Sequence, residues 1–141
     1  MATSGIIEPD DELYLGLSVL DDDHRVLCDC LGALLGAYDA AGLDEMAQRL
    51  VECAEDHFCR EQEWMAATHY EKSAAHRKEH QRLLGDLAII LDHIRANGAY
   101  ALGDEIRGFL RGWLADHITG PDRELADYLA TRNEAGFRTL R

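Results

Sequence analysis

The sequence predicts an all-α protein, an up-down-up-down four-helix bundle with an N-terminal extended arm and a short C-terminal helical tail. Two observations carry that expectation. Apolar side chains return at steps of three and four residues in four separate stretches joined by short turns. The only two prolines, Pro9 and Pro121, leave long helices permitted almost throughout. No Pro/Ser/Gly-rich linker, repeat or low-complexity tract divides the chain, so one domain is expected: an arm over 1–20, the bundle over 21–132 and a tail over 133–141.

Residues 1–20 mix turn-forming and apolar residues without a clear period and read as an extended arm lying on the body. The first helix is expected from Asp21, with His24, Leu27, Cys28, Leu31, Leu35 and Tyr38 on one stripe and acids where a helix N-terminus favours them. After a turn at Ala40-Ala41-Gly42, a second stripe holds Met46, Leu50, Cys53, His57, Glu61 and Trp64 and runs to Thr68. The third holds His76, His80, Leu83, Leu87, Ile90, Leu91 and Ile94, and stops at Asn97-Gly98. The fourth holds Leu102, Ile106, Phe109, Leu110, Trp113, Leu114 and His117, and is expected to break at Gly120-Pro121.

At 141 residues, 47% apolar and 29% charged, the chain can bury a core without disulfide staples, and it has no apolar run of membrane-spanning length. Its 27 acidic and 14 basic side chains give a formal charge of −13, which repels phosphate backbones and anionic bilayers and argues against nucleic-acid or membrane partners. The opening MATSGIIEPDDELY has neither the basic flank nor the apolar core of a signal peptide, so a cytoplasmic protein with reduced thiols is expected. Cys28 and Cys30 lie about 200° apart on a helix and cannot chelate together. Cys59, two residues after His57, should face away from the core. Cys28 follows His24 by one turn and Cys53 precedes His57 by one turn; in antiparallel helices they fall in one layer, which makes them a candidate redox pair beside two small core residues' default role.

The anomaly lies on the inward stripes. His24, His57, Glu61, His76, His80 and His117 all occupy positions that must face the bundle axis. Burying an unsatisfied polar group costs roughly 1–3 kcal/mol, and a charge more. A metal ion removes that cost by taking imidazole lone pairs and carboxylate oxygens as ligands. His57-x-x-x-Glu61 and His76-x-x-x-His80 each set two donors one turn apart on one face. Arg77 after His76 rules out the His-Glu-x-x-His protease signature. Five residues beyond His117, Asp122 would point about 140° away on a regular helix. Pro121, whose ring meets the carbonyl of His117, is expected to kink the chain and swing Asp122 inward. His69 and His93 fall outside the pattern and read as surface residues, and the acid runs at 10–12 and 21–23 read as a solvated arm and a helix start, with Asp23 a possible support for a neighbouring ligand.

One histidine on the first helix, His-x-x-x-Glu on the second, His-x-x-x-His on the third and His-x-x-x-x-Asp on the fourth together resemble the hemerythrin family, in particular its single-domain bacterial members. The matching pieces, LDDDHRVL, DHFCREQEWM, HYEKSAAHRKEH and FLRGWLADHITGPD, span nearly the whole chain. The resemblance implies two non-haem irons: one held by His76, His80 and His117, the other by His24 and His57, with Glu61, Asp122 and an oxo or hydroxo group bridging. It implies reversible O2 binding for delivery, storage or sensing in a monomer, with no catalytic side chain. Leu114 matches the family's pocket leucine, and Trp113 and Ile118 would help to close that pocket. Tyr14, Asp23 and Tyr70-Glu71 stand where the family often has a tryptophan, a glutamine and a Tyr-Pro step. The alternatives are a diiron oxidoreductase acting on peroxide, O2 or nitric oxide, and an iron buffer. An electron donor or an O2-consuming enzyme would be a further partner. A ferritin-type site is disfavoured because its Glu-x-x-His pairs are absent from the inward stripes.

Overall fold

The computed structural model describes residues 13–37, 39–98 and 103–132. Four helices, α1 (Ser18–Leu35), α2 (Ala40–Ala67), α3 (Ser73–Asn97) and α4 (Asp104–His117), form the bundle. A π-helical turn, Ile118–Asp122, carries α4 onward into α5 (Arg123–Arg132). α2 packs on α1 and α3, and α4 returns to α1, as short connections between antiparallel neighbours require. The acids at 10–12, Tyr38, Leu102 and the tail at 133–141 lie outside the described residues.

Three boundaries differ from expectation, each for a local reason. α1 begins at Ser18, three residues before Asp21. Asp21 is buried, not solvated: its carboxylate accepts the N–H groups of Leu15 at 2.9 Å and Gly16 at 3.0 Å, which fastens the end of the arm to the first turn of α1. Asp22 stays exposed. α2 begins inside the expected Ala40-Ala41-Gly42 turn, because Asp39 caps it by accepting the Gly42 N–H at 2.7 Å. The third difference is at Pro121, where the helix does not break: the extra residue is absorbed as a π turn. The end of α3 falls where expected, with Gly98 at φ 72°, ψ −162°, a conformation open to glycine.

Phe109 is 44% exposed and leaves the inward stripe of α4, which Leu110, Trp113, Leu114 and His117 carry. The core falls into two apolar clusters. The larger draws on Leu27, Leu31 and Leu34 of α1, Leu50 and Phe58 of α2, Leu83, Leu87 and Leu91 of α3, and Leu110 and Leu114 of α4. The smaller joins Leu20, Trp64, Met65, Tyr70, Leu125 and Leu129. Between them sit polar residues: His24 between Leu20 and Leu27, Glu61 between Phe58 and Trp64, His76 and His80 between Tyr70 and Leu83, and Asp122 between Ile118 and Leu125. A layer of ionisable groups is thus sealed on both sides by hydrocarbon.

Candidate metal centre

All seven sequence-predicted ligands meet in that layer, and none is more than 4% exposed. They form two nests that share both carboxylates: Glu61, His76, His80, His117 and Asp122 in one, and His24, His57, Glu61 and Asp122 in the other, with the donor atoms of each within 4.8 Å of one another. The sharing is resolved atom by atom. Glu61 presents Oε1 to Nε2 of His76 and of His80, both at 2.9 Å, and Oε2 to Nε2 of His57 at 3.0 Å. Asp122 presents Oδ1 to Nε2 of His117 at 3.0 Å and of His76 at 3.1 Å, and Oδ2 to Nε2 of His24 at 2.7 Å and of His57 at 3.4 Å.

The local sequence explains each placement. Four-residue spacing stacks His57 over Glu61 and His76 over His80. His117 and Asp122 are five apart, and the i→i+5 repeat of the π turn brings them to one face where an α-helix would set them about 140° apart. Pro121 lacks the N–H that a regular turn would aim at His117, so the wider turn leaves no such donor missing.

The donors fit a cation better than they fit each other. His117 Nε2 and Asp122 Oδ1 lie 3.0 Å apart, yet neither has an aligned hydrogen-bond partner, and Glu61 Oε2 is likewise unsatisfied. Lone pairs converge where protons would be needed. Buried polar atoms so arranged suit a divalent ion taking imidazole nitrogen and carboxylate oxygen.

Without a metal, protons take the cation's place. Burial opposes the charged form of His76 and His117, but Asp122 and Glu61 outweigh it and raise both to about 9. His57, also held down by burial, is raised well above the usual imidazole range by Glu61, Asp122 and Asp23. His80 goes the other way, lowered by burial and by the neighbouring imidazoles of His76 and His117 against the pull of Glu61. Burial favours neutral carboxyls at Glu61 and Asp122, yet the surrounding histidines bring both well below the carboxylate range.

Asp23 supports the site, though for a residue other than its neighbour His24. From α1 its carboxylate faces His57 Nδ1 on α2 at 3.0 Å, and Arg60 clamps it in turn through two bonds of 2.9 and 2.8 Å. Its pKa is lowered: burial acts against the carboxylate, but His57 and Arg60 prevail. Sequence spacing missed Arg60 and also Phe58, whose ring stacks on His80 at 4.0 Å and meets His117 edge-on at 5.3 Å. The signal for Phe58 was present as the buried stripe Ala54, Phe58, Glu61, Met65.

Leu114, Trp113 and Ile118 are buried in the large cluster on the His117 side, and Trp113 is fixed by donating its indole N–H to the Leu83 carbonyl at 3.1 Å. His69 and His93 are exposed, as is Cys59. The thiol pairing requires correction: Cys53 Sγ meets Cys30 Sγ at 2.6 Å, where Cys28 was the expected partner. Antiparallel geometry fixed the layer, which Cys28 and Cys30 share to within half a turn, but rotation about α1 turns Cys30 toward α2.

Fold and site together define a four-helix bundle with a candidate dinuclear metal centre, built from five histidines and two shared carboxylates. The family model described as hemerythrin HHE cation binding domain matches residues 15–129, and the chain belongs to the hemerythrin family. It is similar to a bacteriohemerythrin of Stenotrophomonas maltophilia, 31% identical over 120 residues covering 83% of this chain and 77% of that one. A bacteriohemerythrin of Ralstonia nicotianae is 30% identical across 90% of this chain and 91% of its own. A myohemerythrin of Theromyzon tessulatum is 30% identical across 73% of this chain and 77% of its own. The cofactor is accordingly a diiron centre, and the function is non-haem iron binding in oxygen-related chemistry. No helix among the described residues is long and apolar enough to cross a membrane.

Proposed function

We propose that the protein binds O2 reversibly for its delivery, storage or sensing, and is a binding protein, not an enzyme. His76, His80 and His117 would hold one iron, His24 and His57 the other, and Glu61 and Asp122 would bridge them. The observation that carries this is the division of each carboxylate's two oxygens between the nests, since bridging is what that division provides. With two histidines against three, the metal in the His24–His57 nest would keep a coordination position for a small ligand. When bound, the iron pair supplies the reversible electron transfer that O2 uptake requires.

The chain's own residues hold, orient and exclude. Asp23 fixes the ring of His57 from behind, which sets its tautomer and raises its basicity. Leu114, Trp113 and Ile118 keep solvent from the centre, and a dry surrounding slows irreversible oxidation. Among the described residues no cysteine belongs to either nest, which agrees with a site of nitrogen and oxygen donors. The test is optical: iron-loaded protein is reduced under nitrogen, exposed to air, then swept with nitrogen again. A visible band that appears in air and disappears on deoxygenation, without peroxide release, is the expected result. Steady O2 consumption or accumulating peroxide would establish the oxidoreductase reading instead.

A further inference from the structure

We propose that Cys30 and Cys53 form a reversible disulfide that staples α1 to α2 beneath the two-histidine nest. The sulfurs are 2.6 Å apart across the helix interface, 23 residues apart in sequence, and reach bonding distance of about 2.05 Å with little further approach. Cys30 is buried at 3% exposure, whereas Cys53 is half-buried, so an oxidant reaches Cys53. Cys53 lies one turn before His57, and α1 and α2 are the helices that carry His24 and His57. The link therefore ties together the two helices that bring both histidines to one nest, without using any candidate ligand.

The oxidant is a low-molecular-weight disulfide. Cys53, as thiolate, attacks one of its sulfurs and releases one thiolate. Cys30, deprotonated in turn, attacks Cys53 Sγ and displaces the second. Two electrons pass from the pair to the oxidant, and the two thiol protons leave on the displaced thiolates. Burial and the adjoining Cys30 thiol hold Cys53 up at about 12 against the pull of Arg49, so little thiolate is present and the pair reacts slowly at neutral pH.

The experiment uses the full iron-loaded chain, incubated with oxidised glutathione at mildly alkaline pH and analysed by intact mass and non-reducing peptide mapping. The expected product is lighter by two hydrogens, contains a Cys30–Cys53 linked peptide, and reverts with dithiothreitol. Its Tm rises by about 10 °C. Cys28→Ser and Cys59→Ser should still form it; Cys30→Ser should instead accumulate glutathione on Cys53. A lasting mixed disulfide at Cys53 in the unsubstituted protein, or a link from Cys53 to Cys28, overturns the proposal. Mapping of the unsubstituted chain decides the matter even if a variant fails to fold. The outcome is also independent of whether O2 binds.

Discussion

On the proposed assignment, Glu61 and Asp122 matter most to the centre, because each faces both nests with a different oxygen. Glu61→Ala or Asp122→Ala should lower metal content well below two ions per chain by elemental analysis, while His69→Ala and His93→Ala leave it unchanged. Equal losses in both groups would refute the ligand assignment. Asp23→Asn removes the charge behind His57 and should weaken metal affinity about 10- to 100-fold by competition with a chelator. The pH dependence follows from His76 and His117, whose folded-state values of about 9 exceed the unfolded value near 6.5. Their contribution to the stability of metal-free protein is complete below 6.5 and lost as pH rises through 9. Metal uptake must displace the same protons, so affinity should climb over that window while metal-free Tm falls. Opposite slopes in the two titrations check it. The histidines and Glu61 were legible in the sequence because ionisable residues on an apolar stripe contradict their surroundings. Asp23 was legible as a support, but its partner was not, since that is fixed by the rotation of α1 against α2, which periodicity does not specify.

The π turn is the element that makes α4 a two-ligand helix. Pro121→Ala restores an N–H that can bond to the His117 carbonyl, and relaxation toward α-helical register carries Asp122 away from the nests. Far-UV circular dichroism should be held while metal content drops; unchanged content would show that packing of α5 alone maintains the turn. Leu114→Ala should cost about 2–5 kcal/mol as a buried large-to-small change. It should retain both metals and hasten irreversible oxidation of the oxygenated protein, read as faster decay of the visible band. The proline in the sequence marked where the helix would deviate, but the form of the deviation depended on α5 docking back, where Tyr128 donates to the Thr68 carbonyl and packs on Tyr70. The Asp39 cap was within reach of the sequence. The competing Ala-Ala-Gly signal placed the turn at 40–42, where α2 has already begun.

At the scale of the molecule, the four stripes and their order were enough to predict the bundle, because helices joined by short turns have few ways to bury one face each. What they could not give was the position of the polar layer between two apolar clusters, which depends on helix lengths and on the arm. The layer draws candidate ligands from α1, α2 and α3 and from α4 with the π turn that follows it, so removing metal with a chelator should lower Tm by roughly 10 °C or more, reversibly on reloading. The two nests are nonetheless unequal in what they ask of the bundle. One is complete with α2, α3, α4 and the π turn; the other waits for α1, which brings His24 alone. On the proposed ligand assignment, the three-histidine nest should therefore load first and the nest that needs His24 second. Iron(II) added to metal-free protein under nitrogen should give two resolved calorimetric steps, and His24→Ala should keep the first and abolish the second.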